Sequence, residues 1–540
     1  MVDSIPHKTT LYHLLRELPA ELLLSFTPGD VPEIPVTGIK FDSRQIVPGD
    51  LFVALKGENT DGHRYISQAI KAGAIGVVGE QFGIDLSVPY ACVSNSRKAL
   101  ALLSAAYYGY PARNLKVVGV TGTDGKTTTV NLIYQILRSS GLNAGMVSTV
   151  NAIIGDQTID TGFHVTTPDA TDIQRMLAMM VDKGLTHVVL ETTSHGLTQH
   201  RVAGCDFDIG VITNITHEHL DYHQTFSAYR AAKASLFELL ASDKSNNKRG
   251  LRVAIINHDD SSYQYLLEYL HSPVITASGR LSVFSYGLSR EASLFAEDIH
   301  FGNEGTSFVA IGPGFRIPIR SNLTGQYNVC NCLAAIATTV MGLGLDPNFV
   351  AEGIQALPSV PGRMEMLDLG TNFFTIVDFA HTPNALRQAL TAVRSIINSR
   401  ETGGKIIAVF GSAGLRDRAK RQMMAEVSSE LAEVTILTAE DPRTESLEDI
   451  LAEMATGCVR RGGVEGETFW RIKDRGEAIR FALKLAQPGD AVIALGKGHE
   501  QSMCFGEVEY PWDDRIAMRA AVAEYLGVAG PPMPYLPTQE

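Results

Sequence analysis

The sequence predicts an α/β protein of three domains, and three observations carry that reading. Short apolar strands alternate with amphipathic helices along most of the chain, the pattern of a mostly parallel sheet covered on both faces. The 540 residues exceed what one hydrophobic core supports, at roughly 100–200 residues per domain. Hydrophobic residues make up 45% and charged residues 19%, which excludes wholesale disorder and a fibrous fold.

Residues 1–113 hold short strands and turns (VTGIKFDSRQIVPGDLFVAL), a helical ISQAIKAGA, the strand GVVGE and the helix SRKALALLSAAYYGYP. They predict a small amino-terminal α/β domain that closes at Pro111. Residues 114–358 open with the apolar strand Lys116–Val120, a Gly/Thr-rich turn and the helix TTTVNLIYQILRSSG, capped by Gly141. That is a strand–loop–helix unit. The strands LTHVVLE, FDIGVITNIT and LRVAIIN and the helix AYRAAKASLFELL extend it into a central parallel-sheet domain. The segment Leu357–Arg363, LPSVPGR, reads as a linker. In residues 359–540 the strands IIAVFG, VTILTAE and AVIALG run into the polar loops GSAGLRDRAKR, EDPRTE and GKGHE, which predicts a Rossmann-like domain. Ligands of open α/β sheets sit outside the carboxyl ends of strands, so these loops predict a second ligand site. The tail GVAGPPMPYLPTQE, with four prolines, is expected to be a disordered end.

Lys plus Arg number 46 and Asp plus Glu 59, a net charge of −13. Such a chain is repelled by nucleic acid and by anionic membranes, so neither is an expected partner. Six scattered cysteines without a C-x-x-C pair fit a reducing cytoplasm. The amino terminus lacks the features of a signal peptide, and no uncharged apolar run reaches the ~18 residues of a membrane span. A cytoplasmic monomer is expected.

The segment Gly119–Thr129, GVTGTDGKTTT, follows an apolar strand and opens a helix, which is the context of a phosphate-binding loop. Its spacing departs from strict G-x-x-x-x-G-K-[ST], because Val120 takes the first Gly position. Gly122, Thr123, Asp124, Gly125, Lys126, Thr127 and Thr128 are the predicted ATP-binding residues: Lys126 reaches the β- and γ-phosphates and the Thr127 hydroxyl ligates Mg²⁺. Glu191 ends a buried strand, where an unpaired carboxylate is expensive, and a Mg²⁺ partner or a salt bridge would each account for it. The cluster His217, Glu218, His219, Asp221 and His223 has the density of a transition-metal site, although imidazoles are poor ligands for Mg²⁺. Lys233, in a helix, reads from the residues alone as a solvated lysine.

Ten segments in order, TGTDGKTTT, ETTSHGLTQHRV, TNITHEHLDYH, YRAAKASLFE, LTGQYNVCN, VPGRME, VDFAHTPNAL, RDRAKR, EDPR and GKGHE, resemble the Mur ligases. The likeness runs from about Asp42 to Asp514. It is greatest to the members that add the third peptide residue in peptidoglycan synthesis. The resemblance implies an ATP-dependent, Mg²⁺-dependent amide ligase acting on UDP-MurNAc-L-Ala-D-Glu and a diamino acid. ATP would phosphorylate the acid, and the amine would displace phosphate. Chemistry of this kind is mostly positioning and charge neutralisation.

The resemblance further implies that Glu191 and His219 serve the magnesium site with Thr127, and that Lys233 is an N6-carboxylysine. A carbamate turns that cation into an anion able to help organise Mg²⁺. Lys126, Lys233, His219 and Glu191 are thus the residues expected to carry the chemistry. Asn328, Arg363, Asp378 and His381 would hold the nucleotide. Ser43 in the amino-terminal, UDP-binding domain and Thr166, Thr167, Thr193, Gln199 and Arg201 would hold UDP-MurNAc-dipeptide. Arg416, Glu440, Asp441, Pro442, Arg443, Gly496 and Glu500 would bind the amino acid, with arginines on carboxylates and Glu500 on the distal ammonium. Members that use meso-diaminopimelate have Asn where this chain has Asp441. The added negative charge would favour lysine or ornithine, while Arg443 argues for meso-diaminopimelate. Sibling ligases that add D-Ala-D-Ala or glutamate share the phosphate loop but not the EDPR and GKGHE pair. A non-catalytic nucleotide-binding protein would be expected to have lost one of the four chemical residues.

Overall fold

Val117, Val118 and Val120 are fully buried in the strand Lys116–Thr121, as a β-branched run flanked by strands and covered on both faces requires. This strand lies inside an eleven-stranded sheet, between the parallel strands His187–Glu191 and Ile209–Ile212. Because the chain crosses to opposite sides of it, the carboxyl end of Lys116–Thr121 opens at a topological switch point, the place where such sheets bind ligands. Beyond Ile209–Ile212 follow Arg252–Asn257, Leu281–Gly287 and Leu294–Gly302, all parallel, then the antiparallel Gly305–Gly312 and Phe315–Ser321. On the other side lie Ala144–Val147 and two short antiparallel strands, Ala152–Ile154 and Gln157–Ile159. The computed structural model describes residues 9–25, 31, 33–57, 60–159, 167–216, 218, 220–242, 252–277, 281–302, 305–399 and 403–538.

The helix Lys126–Ser139 follows the central strand and buries Val130, Leu132, Ile133, Ile136 and Leu137, its apolar face at helical spacing. It ends in a Schellman motif: Gly141 N–H bonds to Arg138 O and Leu142 N–H to Leu137 O, with Gly141 at φ +77°. The predicted cap is therefore where the spacing put it.

The amino-terminal sheet runs Leu23–Ser25, Tyr90–Val93, Gly76–Gly79, Leu51–Val53, Ile39–Lys40, parallel except for its first strand. The carboxy-terminal sheet runs Glu365–Met366, Phe374–Asp378, Ala491–Leu495, Ile406–Phe410, Val434–Leu437, Phe469–Arg471, parallel except for its first strand. Three separate, mostly parallel sheets with their helices give the α/β class that the strand and helix alternation predicted. Among the described residues no helix is long and apolar enough to cross a membrane.

The linker Leu357–Arg363 joins the central and carboxy-terminal sheets and is packed: Val360 is fully buried in the core of the central sheet, and Asn322 Nδ2 donates to Leu357 O at 3.0 Å. One segment differs from expectation. The carboxy-terminal tail is not a disordered end. Leu536 is fully buried against the carboxy-terminal sheet, Met533 packs beside it, and Thr538 Oγ1 donates to Asp474 Oδ2 at 2.8 Å. The preceding helix ends at Gly527 in the left-handed region, and the four prolines after it stiffen the chain, but two apolar side chains that pack on the carboxy-terminal core decide where it goes.

Candidate active site

The loop after the central strand needs two glycines for different reasons. Gly122 has φ +154°, and a Cβ there would lie 1.8 Å from Thr213 Oγ1. Gly125 has φ +80° at the N-cap of Lys126–Ser139, where a Cβ would sit 2.3 Å from Asn331 Oδ1. Between them the backbone is pinned by neighbouring strand ends: Asp124 N–H donates to Asn214 Oδ1 (2.9 Å) and Thr213 Oγ1 donates to Asp124 O (2.6 Å). The helix N-terminus behind the loop supplies unpaired N–H groups and the positive end of a dipole. Lys126 Nζ folds back onto Thr123 O at 2.8 Å, and burial pushes its pKa down against the opposing pull of Glu191 and Asp124.

Glu191, 2% exposed, ends the adjacent parallel strand. Its carboxylate accepts from Thr127 Oγ1 (3.1 Å), Thr149 N–H (3.0 Å) and Thr149 Oγ1 (2.8 Å), and no salt bridge is needed to bury it. A carboxylate and a hydroxyl side by side at the mouth of a phosphate loop are hard oxygen donors, the set that suits Mg²⁺. His217, His219 and the side chain of Asp221 lie outside the described residues. Among the described residues no group of three His, Cys, Asp or Glu side chains is placed to hold a metal ion.

Lys233 is not the solvated helix lysine its sequence surroundings suggest. It is 2% exposed, its Nζ donates to Gly122 O at 2.5 Å, and it lies 4.7 Å from the centroid of the Tyr229 ring. Burial, then the charge of Lys126, holds its pKa well below the ordinary lysine range. An amine buried in its free-base form can add carbon dioxide, which a protonated amine cannot.

The carboxy-terminal sheet faces this loop. Arg363 Nη2 donates to Thr127 Oγ1 at 3.1 Å, and Asn384 Nδ2 donates to Asp124 Oδ2 at 3.1 Å, so both sheets hold the loop directly. Asp378 accepts Met364 N–H (2.7 Å) and Ala380 N–H (2.8 Å), and burial pushes its pKa up. His381 donates Nδ1–H to Phe379 O (2.9 Å), and burial lowers its pKa to about 3, so it is a neutral ring with Nε2 left as an acceptor. One cavity is lined by Lys126, Thr127, Thr128, Glu191, Asn328, Arg363, Asp378 and His381. An adjoining cavity is lined by Thr193, Gln199 and Arg201 on one wall and by Arg416, Glu440, Asp441, Arg443, Gly496 and Glu500 on the other. Thr193, Glu218, Phe379 and His381 line both, so the two spaces meet.

The far wall is strained. Asp441 (φ +40°) and Arg443 (φ +53°) are non-glycine residues in the left-handed region, which costs roughly 1–3 kcal/mol each. Hydrogen bonds hold them there: Cys504 N–H to Asp441 Oδ1 (3.0 Å), Arg443 N–H to Cys504 O (3.1 Å) and Arg443 Nη1 to Gly414 O (2.9 Å). Asp441 does not present an unmatched charge, because Lys497 Nζ donates to it at 2.9 Å. Behind the wall Arg475, fully buried, donates to both oxygens of Asp514 and to the carbonyls of Ala439 and Leu495, the residues just before Glu440 and Gly496.

Most of the sequence-predicted residues therefore converge. Ser43 lines none of these cavities; it is buried in the amino-terminal domain beside Gln68. Thr166 lies outside the described residues. Thr167 and Arg201 are spent partly on each other, Arg201 Nη1 donating to Thr167 O at 2.6 Å. Pro442, between Asp441 and Arg443, lines neither of the two cavities described. Sequence reasoning missed Thr149, Asn384, Arg475 and Lys497. Lys497 sits inside GKGHE and Asn384 inside VDFAHTPNAL, segments already singled out, so their motifs marked them; Thr149 and Arg475 carry no local signal.

A phosphate loop at the switch point of one parallel sheet faces the strand ends of another across a shared cleft, the arrangement of an enzyme that works on a bound nucleotide beside a second ligand. Models of the Mur ligase family catalytic domain, the Mur ligase middle domain and the Mur ligase glutamate ligase domain match residues 35–108, 120–339 and 362–498. The chain is 41% identical over 511 residues to a UDP-N-acetylmuramyl-tripeptide synthetase of Roseiflexus sp. (strain RS-1), covering 93% of this chain and 98% of that one. It is 39% identical over 496 residues to a UDP-N-acetylmuramoyl-L-alanyl-D-glutamate–2,6-diaminopimelate ligase of Geobacillus thermodenitrificans (strain NG80-2), covering 92% and 96%. A solved structure of a ligase with that same description aligns with TM-score 0.65 and 28% identity over 96% of this chain and 100% of the other. The chain belongs to the Mur ligase family.

Proposed function

We propose that this protein uses ATP and Mg²⁺ to join a diamino acid, meso-2,6-diaminopimelate, to UDP-MurNAc-L-Ala-D-Glu through an acyl phosphate, in the cytoplasm. The observation that carries the reading is the meeting of the two cavities, the phosphate-loop side opening into a space walled by Arg416, Asp441, Arg443 and Glu500. Two of the relatives named above are described as ligases of UDP-N-acetylmuramoyl-L-alanyl-D-glutamate and 2,6-diaminopimelate.

In this reading Lys126 and the helix N-terminus hold the triphosphate and draw charge toward the γ-phosphate. Thr127, Glu191 and His219 would hold Mg²⁺, and Lys233, as its carbamate, would order that site. Bound Mg²⁺ supplies neutralisation of charge developing on the transferred phosphoryl group. A carboxylate oxygen of the substrate attacks the γ-phosphorus, the bond to the bridging oxygen of ADP breaks, and ADP leaves. The amine, having lost a proton, attacks the acyl carbon; the tetrahedral intermediate expels phosphate and an amide remains. Thr193, Gln199 and Arg201 sit on the acid's side of the shared space, and Asn328, Arg363, Asp378 and His381 on the nucleotide's. Ser43 would meet the uridine end. The pairing of Asp441 with Lys497 removes the charge argument for lysine or ornithine, which supports a dicarboxylate amine.

The test is phosphate release with UDP-MurNAc-L-Ala-D-Glu against meso-diaminopimelate, lysine and ornithine. The reading predicts release that requires the acid and is fastest with meso-diaminopimelate; release favouring lysine or ornithine would overturn that choice.

A further inference from the structure

Lys497 is the cation that the pocket's chemistry does not yet account for. It is 1% exposed and stands behind the wall of the amine cavity rather than in it. A buried ammonium is costly unless paired. Its Nζ meets two carboxylates that do line the cavity, Asp441 Oδ1 at 2.9 Å and Glu500 Oε2 at 2.6 Å. Asp441 and Glu500 are far apart in sequence, and one ammonium bridges them at the ends of two neighbouring loops.

Within this triad, two carboxylates and one ammonium leave one net negative charge beside the cations Arg416, Lys420 and Arg443 that also line the cavity. One negative charge matches one distal ammonium on the incoming amino acid, and it leaves Arg416 and Arg443 to attract a carboxylate. Without Lys497 the Asp441–Glu500 pair would carry two negative charges, and at contact distance in a partly desolvated cleft the second would repel a distal carboxylate. We propose that Lys497 is a specificity-determining residue, neutralising Asp441 and fixing Glu500 so that the pocket accepts a diamino acid bearing a second carboxylate. This rests on the reading that the cavity takes the incoming amino acid. Glu440 beside them adds less than a full charge near neutrality, because burial lifts its pKa to about 7.

The charge of the Asp441–Glu500–Lys497 triad can be set by substitution: −1 in the natural protein, −2 in Lys497→Met, −1 in the double variant Lys497→Met/Asp441→Asn and 0 in Asp441→Asn. The experiment measures kcat/KM for meso-diaminopimelate and for L-lysine, with KM for ATP alongside, in all four proteins. The ratio favouring the dicarboxylate should fall about tenfold in Lys497→Met, return in the double variant and rise in Asp441→Asn, with KM for ATP moving less than about threefold. A ratio unchanged in Lys497→Met, or not restored in the double variant, overturns the proposal. If Lys497→Met does not fold, Asp441→Asn still decides, since an unchanged ratio there overturns it equally. Natural enzyme that turns over no diamino acid would instead refute the functional reading, which separates the two failures.

Discussion

Lys233 illustrates how burial converts an ordinary side chain into a reactive one. With its pKa held far below the usual range beside the Gly122 carbonyl, it is available as a free, uncharged amine to carbon dioxide, and the product would place an anion next to Lys126. Lys233→Ala should therefore abolish turnover, and short carboxylic acids added to the assay should restore part of it by filling the vacated site. Near-normal activity in that variant would remove the carbamate from the account. Glu440 gives a pH signature. Burial dominates its environment, outweighing Arg475, Lys420 and Lys497, and raises its pKa from 4.5 to about 7. Between those values the unfolded chain has released a proton that the folded chain keeps, so this residue's contribution to stability is full below the lower value and is lost as pH rises to the upper. In Glu440→Gln the melting temperature should fall less between pH 4.5 and about 7 than in the natural protein; parallel curves would contradict the burial argument. At this scale the sequence is a fair guide to which residues matter and a poor one to their state. Lys126 and Glu191 follow from a strand, a loop and a helix read in order. Lys233 reads as solvated because nothing in ten helical residues reveals the loop packed over it.

The elements show why. The phosphate loop works only because its backbone approaches the next strand end, and Gly122→Ala tests that contact. A methyl group 1.8 Å from Thr213 Oγ1, at φ +154°, must displace the loop, so ADP affinity should drop at least about tenfold in titration calorimetry while the fold persists. Unchanged affinity would mean that the loop adapts. The Arg475–Asp514 pair braces the other wall, tying the ends of Val434–Leu437 and Ala491–Leu495 to the helix Asp514–Leu526. Breaking a buried pair from one side leaves an uncompensated charge, so Arg475→Met should cost about 3–5 kcal/mol in the unfolding transition of this sheet. A loss under about 1 kcal/mol would show that the brace is dispensable. Strands and helices were legible because periods of 2 and 3.6 residues are local properties of the chain. The brace, Thr149 on Glu191, and Lys497 on Asp441 were not, because sheet order, not sequence distance, makes those residues neighbours. The tail errs in the opposite sense: its prolines are a strong local signal, and Leu536 and Met533 override it through contacts made with distant residues.

At the scale of the whole molecule, three α/β layers leave one cleft where the central and carboxy-terminal sheets point their strand ends at each other. Arg363 on Thr127 and Asn384 on Asp124 hold that arrangement at the phosphate loop itself. The consequence is chemical: an acid activated on one side must meet an amine from the other before water does. The most direct test follows an atom. With ¹⁸O in the substrate carboxylate that becomes the amide, the account predicts that each phosphate released carries one ¹⁸O from that carboxylate, delivered when the amine displaces it. Release of unlabelled phosphate during amide formation would contradict it.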